Sequence, residues 1–261
     1  MITSTSGIAA LGTVLGVWAH PDDEAYLSGG LMALAREAGS RVVCVTATRG
    51  ELGTADPWTW PPHALAARRT SELAECLAVL GVTEHRWLRY ADGGCAGVDP
   101  AEPVGRLAEL IDRVVPDTVL TFGPDGVTGH PDHRAVSAWT TTAFDQAAPA
   151  GARLLYAAVP EAFAAAWVEV DERFGVYMPG YPVTTPADRL AVDVVLDAGT
   201  AARKVRALAA QRTQTAELIA ALGVDTYTAW VREEAYVERS RHPSVAATAD
   251  TAAPATAVTT A

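Results

Sequence analysis

The strongest constraint on this chain is a repeating order in its first 160 residues, where short apolar runs alternate with helical patterns. Residues 13–19, 41–48, 85–90, 118–122 and 153–159 read as strands. Between them, residues 25–38, 63–80, 103–115 and 133–146 read as helices, and Gly39 and Gly81 supply natural stops for the first two. This βαβα order predicts an α/β fold with a mainly parallel sheet and helices on both faces. Ligands of such sheets bind outside the carboxyl ends of the strands. The apolar stretch 8–19 follows no Lys or Arg, has no cleavage site and is too short to span a bilayer, so a buried strand is expected there. Beyond residue 160 the pattern weakens. Residues 190–196 resemble a strand, 200–215 a helix, and 227–240 suit either. Residues 1–243 are expected to form one domain, and the Ala/Thr-rich tail 244–261 is expected to be disordered.

Charge narrows the partners. With 31 acidic against 20 basic residues, the net charge of -11 repels phosphate backbones and anionic lipid, so neither nucleic acid nor membrane is expected to bind. The cytoplasm is the expected compartment. Cys44, Cys76 and Cys95 are odd in number, match no cysteine metal knuckle and are expected to be reduced. A homo-oligomer remains open.

Two polar motifs sit just after predicted strands. One is His20-Pro21-Asp22-Asp23-Glu24, and the other is His130-Pro131-Asp132-His133. His-Pro-Asp is expected by chance about 0.02 times in a chain of this composition, so two copies at two strand ends carry information. A catalytic zinc site uses three protein ligands and leaves one position open for water. His20 and Asp23, three apart, can face the same side of a turn or first helical turn, and His133 from the other strand end completes a trio. Pro21 suits a helix's first turn. The set fits zinc best, and iron(II) and cobalt also suit it. Each residue alone has a plainer reading. The acidic run can be a helix start favoured by the dipole, His20 a buried hydrogen-bonded side chain, and His130 or Asp132 a helix cap. Those readings do not explain the recurrence.

The AHPDDE and HPDH segments resemble those of the PIG-L/LmbE-like family of zinc-dependent N-acetylglucosaminyl deacetylases, from about residue 14 to residue 136, with weaker echoes to about 215. The resemblance implies a Rossmann-like domain with its active site at the C-terminal ends of the strands. It implies zinc ligands at His20, Asp23 and His133, a general base at Asp22, and an oxyanion or leaving-group role for His130 tuned by Asp132. The chemistry agrees, since a carboxylate off the metal must take the water proton and a histidine can share the developing oxyanion. Whether Asp22 or His130 protonates the departing amine stays open. The resemblance further implies sugar contacts at Glu51, Arg69 (or its neighbour Arg68) and Asp92. Plainer readings are a turn at Arg49-Gly50, an i,i+3 pair of Arg69 with Glu72 and an Asp-Gly turn. Gln211 stands where the family often has a histidine. Tyr26 is expected to shape the acyl or aglycone pocket, and the Pro-rich loop bearing Trp58 and Trp60 is expected to wall the substrate site. The expected function is zinc-dependent hydrolysis of an N-acyl, foremost N-acetyl, amide on a small amino sugar. Alternatives are an amidase for larger mycothiol-type or natural-product conjugates and a non-catalytic binding protein of the same fold. A dinucleotide or P-loop protein is disfavoured, because acidic residues stand where phosphate-binding glycines would.

Overall fold

The computed structural model describes residues 1–2 and 5–239. A 3-10 helix (Thr5–Leu11) leads into β1 (Val14–Trp18), α1 (Asp23–Glu37), β2 (Val42–Thr46), α2 (Pro62–Leu80), β3 (Glu84–Trp87), α3 (Ala101–Val114), β4 (Thr118–Phe122), α4 (Pro131–Ala147) and β5 (Arg153–Ala157). The second half holds β6 (Val159–Pro160), α5 (Glu161–Phe174), β7 (Thr184–Thr185), β8 (Val192–Val195), α6 (Ala198–Ala210), α7 (Arg212–Leu222), α8 (Val224–Val231) and β9 (Glu233–Glu238). Seven strands form one sheet in the order β3-β2-β1-β4-β5-β9-β8, and β6 pairs with β7 apart from it. The first five run parallel, while β9 is antiparallel to both β5 and β8.

Every residue of β1, β2 and β4 is buried, because helices cover both faces of a parallel sheet and leave no side for water. Helices α1, α2 and α6 pack together, and α3 packs on α4. From β1 the chain winds outward to β3 and then crosses back to β4 on the other side of β1. The two His-Pro-Asp motifs therefore leave adjacent strands at the point where the strand order reverses, which is where such sheets open a crevice.

Three expectations need correction. The stretch 8–19 is not one strand. It is a 3-10 helix as far as Leu11, then a turn at Gly12 with φ +59, and only then β1. The helix expected over 200–215 breaks at Gln211, whose φ -87 and ψ 55 leave the helical region, so α6 and α7 are separate. The ambiguous stretch 227–240 proves to be both, the end of α8 followed by β9. The tail 244–261 lies outside the described residues.

Behind the site, α1 is tied to the sheet by a buried ion pair. Lys204 Nζ of α6 lies 2.7 Å from Glu234 Oε1 of β9, and both side chains are 0% exposed. Glu234 also accepts from the N–H groups of Gly30 and Leu31, each at 2.7 Å. Lys204 donates to the carbonyl of Tyr26 and Tyr236 donates to that of Leu27, each at 2.7 Å. These are the donors and acceptors of two successive steps in the α1 ladder, so side chains of α6 and β9 enter the helix at its two glycines. A Cβ on Gly30 would lie 2.4 Å from Leu196 Cδ1, so only glycine allows this approach.

Candidate active site

His20 follows β1 in a tight turn, and Asp23 opens α1. Pro21 lies in that turn, ahead of the helix and not within its first turn as expected. Pro131 does occupy the first position of α4, with His130 as N-cap. Asp22 is held at φ 109, a region that costs a non-glycine residue on the order of 1–3 kcal/mol and that concentrates at functional sites. Backbone N–H groups of Ala25 and Tyr26 bond to the Asp22 carbonyl, and its own N–H donates to Glu24 Oε2, so the surroundings fix this conformation.

The side chains of His20, Asp23 and His133 converge. His20 Nδ1 lies 3.1 Å from His133 Nε2. Asp23 Oδ1 is 3.4 Å from His133 Nε2, and Asp23 Oδ2 is 3.5 Å from His20 Nδ1. Ligand atoms about 2.0–2.1 Å from a tetrahedral centre stand about 3.3–3.4 Å apart, which is close to these separations, although Asp23 meets the two histidines through different oxygens. The remote ring nitrogens fit as well, since a ligating imidazole passes its other N–H to a carboxylate or carbonyl. His20 Nε2 is 3.1 Å from Asp92 Oδ1 and 3.4 Å from Asp132 Oδ2. His133 Nδ1 is 3.0 Å from the Gly126 carbonyl and 3.2 Å from Thr128 Oγ1, and Phe122 stacks on its ring at 4.1 Å. Two other groups could offer ligands. The ring nitrogens of His20, His130 and His133, and the donors of His20, Asp92 and Asp132, each fall within 4.8 Å of one another.

Asp22 is set apart from Asp23 by Arg69, whose Nη2 reaches Asp22 Oδ2 at 3.0 Å and also the Pro21 carbonyl. Burial pushes the Asp22 carboxyl up to about 7 against the pull of Arg69. Asp23 is also buried, but His133 and His20 outweigh the burial and bring it down to about 2. His130 Nδ1 accepts the Asp132 N–H at 3.2 Å, which leaves the ring proton on Nε2.

Several expected residues occupy different surroundings. Arg69 is 3% exposed; its Nη1 and Nη2 donate to Gly50, Pro21 and Asp22, while its buried Nε has no partner among the described residues. The helix pair expected for Arg69 and Glu72 belongs to Arg68 and Glu72, at 2.9 Å. Asp132 touches His20 by side chain and meets His130 only through its backbone N–H, because Gly93 and Cys95 N–H groups hold its carboxylate on the His20 side. Asp92 likewise faces His20, while its N–H donates to Glu51 Oε1 at 3.0 Å. Glu51 Oε2 is buried without a partner among the described residues. Trp58 stands 93% exposed and does not line the cavity beside the site. Trp60 lines a separate cleft with Arg68, Glu72 and α7 residues. Tyr26 does line the main cavity, and its hydroxyl accepts from Tyr227 at 2.9 Å. Gln211 donates to Glu24 Oε1 at 2.6 Å, behind the turn that carries the site. Sequence reasoning missed Thr128, the Gly126 carbonyl and the Arg69–Asp22 contact. Gly123, Gly126 and Gly129 between β4 and His130 were the one sequence signal near the first two.

The Arg69 path gives a first prediction. Gly50 has φ +62, and a Cβ there would lie 2.2 Å from Arg69 Nη1. Gly50→Ala is expected to displace Arg69, leave bound metal unchanged and lower kcat at least about tenfold through the freed Asp22. Metal analysis beside steady-state kinetics checks this, and an unchanged kcat would show that Arg69 does not position Asp22.

Comparison with known proteins gives the chain its family. Residues 15–144 match the family model described as PIG-L, GlcNAc-PI de-N-acetylase. A 1D-myo-inositol 2-acetamido-2-deoxy-alpha-D-glucopyranoside deacetylase of Kineococcus radiotolerans is 38% identical over 206 residues, 68% of this chain and 55% of that protein. The chain thus spans about half the length of that relative. A protein of the same name from Saccharomonospora viridis is 35% identical over 77% of this chain and 84% of its own length. In fold, the N,N'-diacetylchitobiose deacetylase of Pyrococcus horikoshii superposes with a TM-score of 0.60 at 21% identity, covering 90% of this chain and 87% of that one.

Proposed function

Because the chain belongs to the PIG-L family of de-N-acetylases, we propose that it is a zinc-dependent amidohydrolase acting on an N-acyl amino sugar, with its metal held by His20, Asp23 and His133. The observation that carries this reading is the 3.1–3.5 Å spacing of those donor atoms. Asp23 is preferred to His130 as third ligand because its carboxylate offsets the charge of a dication, and because His130 Nδ1 already accepts a backbone N–H. Asp92 and Asp132 sit on the other nitrogen of His20 and hold its N–H. Bound there, zinc supplies an acidified water and an electrophile for the acyl carbonyl.

The chain's own residues do the rest. Asp22, turned by Arg69, accepts the proton of the attacking water. His130 offers its Nε2–H to the carbonyl oxygen as charge builds on it. The amine leaves after taking a proton from Asp22 or His130. Glu51, with one carboxylate oxygen unpartnered, accepts from a sugar hydroxyl, since a buried acceptor left unmade is costly. The relatives' names make N-acetylglucosaminyl-inositol the first substrate to try. Purified protein should contain about one zinc per chain and release acetate from that compound or from simpler N-acetylglucosaminides. Protein with no turnover after zinc addition would favour a non-catalytic binding role.

A further inference from the structure

A cavity of about 530 Å³ meets the candidate metal site. Asp22, Asp23 and His133 line one end of it. Most of the rest is apolar, walled by Tyr26, Phe163, Val176, Leu218, Trp230 and Val231. Cavities of about 300–1,000 Å³ hold drug-sized molecules, whereas an acetyl group is two carbons and an oxygen. No Lys or Arg lines this space and Glu233 does, so away from the metal end nothing there would neutralise a carboxylate or phosphate. Glu51 and Asp92 are not among its lining residues, and its polar side chains away from the metal end include Thr128, Gln214, Glu233 and Glu234, the last already paired with Lys204.

An N-acyl amino sugar has the same two-sided character. Its amide is planar, and the sugar on nitrogen and the chain on carbon leave in opposite directions. With the sugar toward Glu51, the acyl chain runs into the cavity. We propose that this cavity takes the acyl half of the substrate, and that the chain's preferred substrates carry an uncharged alkyl or aryl acyl group well beyond acetyl. The proposal rests on the amidohydrolase reading above. The reaction is the same hydrolysis: water oxygen bonds to the acyl carbon, the C–N bond breaks, the amine departs with a proton, and a longer carboxylic acid is released.

The test is a series of N-acylglucosamines from acetyl to decanoyl, with a second series of alkyl glycosides of N-acetylglucosamine. Hydrolysis is followed with zinc-loaded wild type. Binding is measured by calorimetry with zinc-loaded Asp22→Asn protein, so it does not depend on turnover. Each buried methylene should raise kcat/KM and affinity about fourfold until the cavity is filled. Leu218→Trp and Val176→Trp, which narrow the space, should lower the octanoyl-to-acetyl ratio at least about tenfold. Acetyl hydrolysis with no gain beyond butanoyl overturns the acyl assignment and leaves the amidohydrolase standing. Affinity that follows the glycoside chain also overturns it, giving the cavity to the aglycone. Affinity that rises with acyl length while no compound is hydrolysed supports the cavity's occupant and refutes the amidohydrolase.

Discussion

Asp22→Asn protein is expected to keep its zinc and lose about 10²–10⁴-fold in kcat. The argument starts from the turn after β1. Asp22 and Asp23 are neighbours in sequence, but the backbone at φ 109 sends them to different partners. Asp23 meets both histidines, at 3.4 and 3.5 Å, whereas Asp22 meets Arg69 at 3.0 Å. The substituted amide would keep the shape of the carboxylate, so the turn's backbone bonds to the residue 22 carbonyl can be retained. It could not accept the water proton. The variant thus separates base from ligand, and steady-state kinetics beside metal analysis reads both. Full activity in the metal-loaded variant would remove Asp22 from the mechanism, and loss of zinc would place it among the ligands.

Lys204→Met should destabilise the fold by about 3–5 kcal/mol, because it leaves the Glu234 carboxylate buried without its cation. The two N–H donors of Gly30 and Leu31 remain but carry no full charge. Lys204→Met combined with Glu234→Gln should lose less than Lys204→Met alone, since no charge is then stranded. Urea denaturation of the three proteins measures this, and a loss below about 1 kcal/mol in Lys204→Met would show that the pair is not what holds α1. Because α1 carries Asp23 at its start, the single variant should also bind zinc more weakly.

The first half of the fold was legible because its strands are buried on both faces. Val14–Trp18 and Thr118–Phe122 are continuous apolar runs that no amphipathic helix needs. The second half hides its reasons at long range. β9 reads Glu-Glu-Ala-Tyr-Val-Glu, yet Glu234 is buried because Lys204, 30 residues earlier, neutralises it. The break at Gln211 carries no Gly or Pro, and the side chain at the break bonds to Glu24, 187 residues away. The apolar run before β1 looks like strand because a short buried stretch does not reveal its period. At the site, the doubled His-Pro-Asp singled out His20, Asp23 and His133, whose side chains the fold brings within 3.5 Å of one another. Arg69 was singled out as a sugar contact, but its bond to Asp22 was not legible, since the two lie 47 positions apart and only the fold joins them.

The central claim is that one metal ion is held by His20, Asp23 and His133. X-ray absorption at the zinc edge tests it most directly, on wild type and on a His20→Ala/His133→Ala double variant. Wild type should show a shell of nitrogen and oxygen at about 2.0–2.1 Å with imidazole scattering, and the double variant should lose the ion. A sulfur shell at about 2.3 Å, or full zinc content in the double variant, would contradict it.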